Sequence, residues 1–293
     1  MTAPDGLLVL DKPGGMTSRA ALDRALQWFP RGTRMGHTGT LDPLATGVLV
    51  LCLGRATRLA EYVQRMSKTY RTSLLLGARS DTDDADGTIT PVSGAIAPDA
   101  ATVRSCLAGF IGTMDQVPPA FSAAKVTGKR AYDLARAGQE VVLQSRPVTI
   151  HAIDVLHFAY PHLELEVRCG KGTYIRSLAR DLGERLGCGA LVGTLRRTRV
   201  GPFSVENAVT LETDPETARS RLLAVEAAAS ELPRVSLSAA DLTRLCQGQR
   251  VRWGEGMNFE CATEIGVFDE RDHLVAVASF DPARHTLNPE KVL

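Results

Sequence analysis

Several features that mark common classes of protein are missing from this 293-residue sequence. Its six cysteines form no CxxC pair, and most sit in apolar surroundings such as VLVLCLG, as reduced core cysteines do. Neither a zinc site nor a disulfide framework is therefore predicted. The six histidines show no HxxxH or HExxH spacing, so a metal held by these side chains is not expected.

Long apolar runs are missing as well. No 18 apolar residues follow one another, and the N-terminal MTAPDGLLVLDKPGG has one short apolar run with no basic segment before it. Neither a transmembrane helix nor a signal peptide is predicted from such a pattern. The cytoplasm is the expected location, and no membrane partner is expected.

An excess of charge of one sign is missing from the whole chain but not from its parts. The 34 basic and 33 acidic residues give a net charge of +1. Residues 120–200 carry 13 basic and 7 acidic side chains, a net +6, whereas residues 201–293 carry 9 and 15, a net −6. The middle segment would attract a polyanion. Charge alone favours the simpler interpretation of two solvated faces.

Two segments resemble ligand loops but lack the residues that such loops need. In DTDDADGTITPV, aligning Asp81 with the first calcium ligand puts Asp86 where glycine is required and Val92 where glutamate is required. MTSRAALD and GHTGT lack the lysine and the spacing of a phosphate-binding P-loop. Neither calcium nor a nucleotide phosphate is expected.

Short strands and helices alternate along the first 230 residues. LLVLD (7–11), GVLVLCLG (47–54) and TYRTSLLLG (69–77) are predicted strands, and PVTIHAIDVLHF and HLELEVRC alternate apolar and polar residues as half-buried strands do. This pattern predicts an α+β domain with a large, mostly antiparallel mixed sheet flanked by helices.

Two helices are predicted within this domain. The first, RAALDRALQWF, begins after Ser18 as N-cap and ends at Pro30. The second, KGTYIRSLARDLGERLG, has one apolar stripe. The stripe consists of Ile175, Leu178, Ala179, Leu182 and Leu186.

A domain boundary is predicted near residues 230–234, after the helical pattern of RSRLLAVEAAA. Beyond it, one short helix opened by Ser238 and closed near Gly248 precedes two strands, EIGVFD and LVAVASFD. The sequence thus predicts a main domain over 1–230 and a small β-rich module over 231–293.

The stretch GHTGTLDPLATG, Gly36 to Gly47, contains a lone carboxylate, Asp42. The following proline holds Asp42 in an extended or turn geometry just before a buried strand. The ordinary interpretation is an aspartate that caps the PLAT turn. Three glycines that allow close approach of another backbone or ring, with a histidine and two threonines as donors, favour a chemical role instead. No second acid pairs with it locally, which disfavours a glycosidase.

Five segments together resemble the TruB family of pseudouridine synthases. RMGHTGTLDPLATGVLVLCLGRATR resembles the catalytic motif, LLVLDKPGGMTS the N-terminal motif, and SKTYRTSLLLGARSDTDDADG the second motif. VPPAFSAAKVTGKRAYDLARAG resembles the RNA-contacting insertion, about residues 116–142, and CGKGTYIRSLARDLGERLGCGALVGTLRRTRVGPF the third motif. The similarity runs in order from about Leu7 to Phe203. The tail resembles, more loosely, the PUA module common in this family.

The resemblance implies an enzyme that isomerises uridine 55 in the T loop of transfer RNA to pseudouridine. The N-glycosidic bond breaks, the uracil turns and it rejoins through carbon 5, so no cofactor is expected. Asp42 would be the nucleophile, attacking either ribose C1′ or uracil C6. Arg176 would lie beside it and keep a buried carboxylate ionised.

The resemblance also assigns residues to the substrate. Tyr70 and Leu195 would hold the flipped uracil, with Tyr70 as general base for the last proton removal, acting directly or through a water. Tyr174 would also bind substrate, and His37 would fill by stacking the space that the base leaves. Three basic residues of the insertion would contact the RNA: Lys125, Lys129 and Arg130. The implied partner is the T stem-loop of tRNA, bound by a monomer without metal.

Two other functions stay open from the sequence. A non-catalytic RNA-binding protein that helps tRNA to fold could keep the same fold, but it predicts loss of the acid, and Asp42 is present. A synthase that acts on another RNA within a guide-directed complex is the second. The compact insertion and the absence of long basic extensions favour the stand-alone enzyme.

Overall fold

The computed structural model describes residues 4–122, 143–253 and 264–293, and the backbone of 125–126 and 129–130. The strands are β1 Gly6–Lys12, β2 Met35–His37, β3 Thr46–Leu53, β4 Lys68–Leu76, β5 Ala78–Ser80, β6 Ile89–Pro91, β7 Gly112–Gln116, β8 Lys125–Val126, β9 Lys129–Arg130, β10 Arg146–Ala159, β11 His162–Cys169, β12 Ala190–Val200, β13 Phe203–Ser204, β14 Arg234–Ser236, β15 Val251–Arg252, β16 Glu264–Phe268, β17 Leu274–Asp281 and β18 Thr286–Val292. The α-helices are α1 Ser18–Leu26, α2 Ala60–Arg65, α3 Ala100–Ala108, α4 Ile175–Arg185, α5 Pro215–Ser220 and α6 Ala239–Cys246. No helix within these described ranges is long and apolar enough to cross a membrane.

A nine-stranded mixed sheet forms the frame of the main domain. Its order is β1-β3-β12-β4-β11-β10-β7, with β2 paired to β3 and β13 to β12. The β3–β12 pair is parallel, and its neighbours along the sheet pair antiparallel. The predicted α+β class with a mostly antiparallel sheet is confirmed.

Strands β1 and β3, at one edge of the sheet, are buried on both faces, as their continuous apolar runs require. In β1, Leu7 and Val9 pack with the cluster on one face, and Leu8 and Leu10 pack with the cluster on the other. Helix α1 covers the second face through residues such as Leu22. Strands β2 and β3, which flank the loop of residues 38–45, are thus part of a well-packed sheet.

Helix α4 covers the neighbouring part of the sheet. Its predicted stripe is correct, because Ile175, Leu178, Ala179 and Leu182 are buried against strands β4 and β11, and Leu186 packs at the edge of the same cluster. This packing places the start of α4 near the start of β4, where Lys68 and Tyr70 lie.

The predicted N-cap of α1 is wrong by one residue. Thr17 has extended backbone geometry and its hydroxyl accepts from Ala20 N at 3.1 Å, so Thr17 is the N-cap. Ser18 is already helical, and its hydroxyl is used elsewhere, in the loop that contains Asp42.

The helix predicted over RSRLLAVEAAA does not form as one element. Helix α5 ends at Ser220, and a short 3₁₀ turn follows at Val225–Ala229. Between them, Leu223 exchanges both main-chain hydrogen bonds with Leu7 of β1, at 2.8 and 2.9 Å. Pairing with a strand edge interrupts the helical pattern.

The last part of the chain forms a five-stranded sheet in the order β14-β16-β17-β18-β15, with helix α6 packed on it. The predicted β-rich module and the Ser238 cap are confirmed, the latter by a bond from Asp241 N to the Ser238 hydroxyl. Phe268, Leu274 and Val277 of this sheet belong to the same apolar cluster as Met66 beside α2. The module thus shares a core with the main domain.

Candidate active site

Asp42 lies in the loop between β2 and β3, and its backbone forms a tight turn. Ala45 N donates to Asp42 O at 3.1 Å, as expected for an Asp-Pro turn. The carboxylate Oδ2 lies 2.9 Å from Arg176 Nη2, and 35% of the side-chain surface stays exposed. The acid is therefore paired on one side and open on the other.

Ser18 fixes the backbone one residue before Asp42. Its hydroxyl donates to Leu41 O at 3.0 Å and accepts from Leu41 N at 2.7 Å, in a buried position. A side chain that satisfies both main-chain groups of one residue holds that residue in one conformation. Ser18 was predicted only as a helix cap, because no local pattern marks a bond to backbone 23 residues away.

Arg197 holds both ends of the same loop from strand β12. Its Nη2 donates to Gly39 O at 3.1 Å and its Nε donates to Val48 O at 2.7 Å. Gly47 makes this possible, because its φ is +100° and a Cβ there would collide with the main-chain oxygen of Arg197. The expected close approach is right for Gly47, whereas among the described residues no atom lies within 4 Å of a Cβ built at Gly36.

Arg176 is the centre of the charge arrangement and is 4% exposed. Besides Asp42, its guanidinium lies 3.3 Å from the carboxylate of Asp84 and donates to Thr82 O at 2.9 Å and Phe121 O at 2.8 Å. An arginine in the first turn of a helix would ordinarily be solvated. Here its fixed fork of donors is directed at two acids and two carbonyls.

The acidic loop between β5 and β6 provides part of this arrangement. The Asp84 Oδ1 accepts from the Thr82 hydroxyl at 2.6 Å, which leaves Oδ2 directed at Arg176. Asp83 pairs with Arg180, one turn further along α4, at 3.1 Å. The segment that resembles a calcium loop therefore uses these two carboxylates to bind arginines. The role of Asp84 was missed because the alignment tested calcium spacing alone.

Burial sets the protonation chemistry of the site. It is the largest cause that raises the pKa of Asp42 above its usual range, while Arg176 lowers that pKa and Asp84 raises it further. Burial also raises the pKa of Tyr70, and Arg197 opposes this. Burial has the opposite effect on a nearby cation and lowers the pKa of Lys12 to about 8.

Asp42, Tyr70, Arg176 and Arg197 line an open cavity of about 470 Å³, which is the size of a small-molecule pocket. Besides Asp42, four of the residues predicted to take part in catalysis or substrate binding line it: Tyr70, Tyr174, Arg176 and Leu195. Lys68, Lys171 and Arg197 add positive charge. The remaining lining comes from Thr38–Leu41, Gln64, Gly170, 172–173 and Ile175. The cavity combines an acid, a phenol, an apolar wall and cations.

The other predicted substrate residues are placed differently. His37 is half-buried at the end of β2 and lies next to Thr38, a lining residue, without lining the cavity itself. Lys125 and Arg130 pair as backbone in the short β8–β9 hairpin, which also contains Lys129. The side chains of these three residues lie outside the described part of the structure.

The chain matches two family models. Residues 27–175 match the N-terminal domain of the TruB family of pseudouridylate synthases, and residues 176–216 match the C-terminal domain of tRNA pseudouridylate synthase B. The tRNA pseudouridine synthase B of Burkholderia mallei (strain NCTC 10247) is 43% identical over 99% of this chain and 97% of its own length. The chain belongs to the TruB family of pseudouridine synthases. It is an isomerase of that kind.

Further relatives agree with this membership of the TruB family. The enzyme of the same name from Aromatoleum aromaticum is 46% identical over 84% of this chain and 80% of its own length. Among solved structures, the fold resembles a chain of a Cbf5-Nop10-Gar1 complex, with a TM-score of 0.76, 24% identity and coverage of 98% of this chain and 84% of that one. A chain of an H/ACA RNP bound to a substrate RNA gives a TM-score of 0.74 at 22% identity. These structures show the shared fold.

Proposed function

We propose that this TruB-family protein isomerises uridine 55 in the T loop of tRNA, in the cytoplasm and as a monomer without metal or cofactor. The observation that carries the proposal is the Asp42–Arg176 pair at 2.9 Å on the wall of a cavity. The relatives at 43–46% identity are named tRNA pseudouridine synthases.

Asp42 is the nucleophile in this proposal. A carboxylate attacks only when ionised, and burial raises its pKa. Arg176 lowers that pKa and holds one carboxylate oxygen, while the exposed part of the side chain faces the cavity. The same carboxylate, held by Arg176 at one oxygen and open to the cavity, would serve for attack on ribose C1′ or on uracil C6.

The uracil of a folded RNA loop must be flipped out to reach Asp42. Tyr70 and Leu195 line the cavity and offer a flat ring and an apolar wall for the base. Tyr70 then accepts the proton from carbon 5 as its phenolate, the form that the Arg197 guanidinium favours against the effect of burial. Tyr174 completes the wall, and His37, beside the rim, stacks in the RNA where the base has left.

The direct test uses unmodified T-stem-loop RNA. Incubation with the protein, followed by carbodiimide treatment and primer extension, should give one stop at uridine 55. Asp42→Asn should fold and bind the same RNA yet make no pseudouridine, because a neutral amide cannot replace the nucleophile. Multiple turnover by that variant would contradict the assignment of Asp42. A bound but unmodified RNA with the wild-type protein would instead favour the RNA-folding function.

A further inference from the structure

Helix α4 carries Arg176 in its first turn, but its N-cap residue does not cap it. Tyr174 occupies the N-cap position with extended backbone, φ −105° and ψ 116°, and its side chain makes no capping hydrogen bond. Serine, threonine, aspartate and asparagine are preferred there because their oxygen accepts from a first-turn N–H. Tyr174 lines the cavity instead. The side chain of Tyr174 therefore does not stabilise the start of α4, and another residue has to do so.

Gln116, the last residue of β7, gives that support. It is 2% exposed, its Oε1 accepts from Tyr174 N at 2.8 Å, and its Nε2 donates to Tyr174 O at 3.1 Å. The same carbonyl accepts the first helical bond, from Leu178 N at 3.1 Å. A glutamine that bonds the N-cap N–H is half of a capping box, here supplied from 58 residues away in sequence.

The residues after Gln116 dock on the same helix. Val117 O accepts from the Ser177 hydroxyl at 2.8 Å and from Arg180 Nη2 at 2.9 Å. Phe121 O accepts from Arg176 Nη2 at 2.8 Å, the nitrogen that also faces Asp42. The root of the insertion and the Asp42–Arg176 pair therefore share one set of hydrogen bonds.

We propose that Gln116 is a positioning residue for the pseudouridine synthase reaction. By holding both main-chain groups of Tyr174, its amide fixes the first turn of α4 and with it the distance from Arg176 to Asp42. Arg176 follows Tyr174 by two residues, so a change in the backbone of Tyr174 moves the guanidinium directly. This inference rests on the proposed roles of Asp42 and Arg176.

The role predicts a specific kinetic signature. When Arg176 is less well placed, the ionised form of Asp42 loses stabilisation and the pKa of Asp42 rises. The acid limb of kcat against pH then moves to higher pH. Gln116 itself is buried and does not line the cavity, so the KM for the RNA changes much less than kcat, and only through Tyr174.

The test compares Gln116→Met, which keeps length and packing but loses both bonds, with Ser177→Ala. Ser177 is equally buried and its hydroxyl joins the same helix to the same segment, but it does not touch the main chain of Tyr174. Gln116→Met should lower kcat about tenfold or more, keep KM within about twofold and move the acid limb upward. Ser177→Ala should leave the limb in place. If Gln116→Met does not fold, Gln116→Leu, which removes both bonds without adding a charge, takes its place.

Two results would overturn the inference: an unmoved acid limb in the folded Gln116 variant, or the same displacement in Ser177→Ala. Wild-type protein and Asp42→Asn are measured alongside on the same stem-loop. Inactive wild-type protein, or active Asp42→Asn, would instead contradict the proposed function, so the two failures are distinct.

Discussion

At the scale of single residues, the site depends on side chains that bond to backbone. Ser18 holds Leu41, and Arg197 holds Gly39 and Val48, so the loop around Asp42 is fixed from two sides. These bonds fix the loop through its backbone, so the Asp42 carboxylate is not needed to hold the loop and pairs with Arg176. Burial, Arg176 and Asp84 together set the protonation of Asp42, the proposed nucleophile.

Asp84→Asn tests this electrostatic arrangement. The negative charge of Asp84 raises the pKa of Asp42, so its removal should lower that pKa. Activity that depends on ionised Asp42 is lost as pH falls through its pKa, and the acid limb of kcat should move to lower pH. Asp83→Asn is the matched control, since Asp83 pairs with Arg180 and asparagine tolerates its φ of 60°. A limb that moves upward in Asp84→Asn would show that positioning outweighs charge.

Tyr70→Phe separates the two proposed functions of Tyr70. The ring remains for stacking, but the proton acceptor is gone, so RNA binding should persist while kcat falls about 10²–10⁴-fold. Tyr70→Leu should weaken binding as well. Single-turnover rates and filter binding provide both measurements, and a near-normal rate for Tyr70→Phe would reduce Tyr70 to packing.

At the scale of elements, the decisive contact is the parallel pairing of β3 with β12 beside the nucleophile loop. Arg196 and Arg197 pair with Thr46 and Gly47. The approach is so close that position 47 tolerates no Cβ. This junction links the loop of Asp42 to the strand that carries Leu195.

Gly47→Ala should therefore be severely destabilising. A positive φ costs about 1–2 kcal/mol for a residue with a Cβ, and the collision with Arg197 adds about 1–3 kcal/mol. Gly36→Ala, in the same motif, meets open space and should be near neutral. Urea unfolding of both variants measures the difference. Equal stability would refute the need for a glycine at position 47.

The sequence predicted elements better than contacts. Strands such as GVLVLCLG follow from apolar runs, and the stripe of α4 follows from its period, because these patterns are local. The pairing of Asp42 with Arg176 has no local signal and was reached by family resemblance alone. Ser18 and Gln116 were missed as partners of distant backbone, since no periodicity marks such a bond. The helix over RSRLLAVEAAA failed because Leu223 pairs with β1, a tertiary contact.

At the scale of the whole molecule, the last 60 residues contact the main domain through apolar and charged side chains as well as through the covalent linkage. Apolar side chains of β16 and β17 pack in the cluster around Met66 and Tyr62. Polar contacts from Glu264 to Arg65 and from Lys291 to Glu61 surround it. A division at residue 230 remains a prediction about folding units.

Truncation after about Glu231 tests that division. Phe268, Leu274 and Val277 would leave the shared cluster, and each buried apolar side chain contributes about 1.5–3 kcal/mol. The truncated protein should melt at a lower temperature, keep activity on the stem-loop when folded, and show a raised apparent KM for full-length tRNA. A folded truncation that is inactive on the stem-loop would assign the module to the chemistry.

Replacing Lys125, Lys129 and Arg130 together by alanine tests the insertion. Each side chain that touches phosphate contributes a slope of about −0.9 for duplex or −0.7 for single strand in log affinity against log salt. The slope should flatten by about two units, with a smaller effect on the rate for bound RNA. Filter binding at several potassium concentrations measures it, and an unchanged slope would leave these residues as solubilising charges.

The bond from Arg197 to Gly39 joins residues 158 positions apart in the chain, and the ion pair of Arg176 with Asp42 also links distant segments. A nascent polypeptide that has emerged as far as residue 150 contains Asp42 and Tyr70 but neither Arg176, which pairs with the acid, nor Arg197, which holds its loop. Contacts of such long sequence separation slow folding. If Arg176 supports Asp42 as proposed, we expect pseudouridine formation only once α4 and β12 have been synthesised and inserted, and regain of activity in a refolding experiment would then report completion of the central sheet.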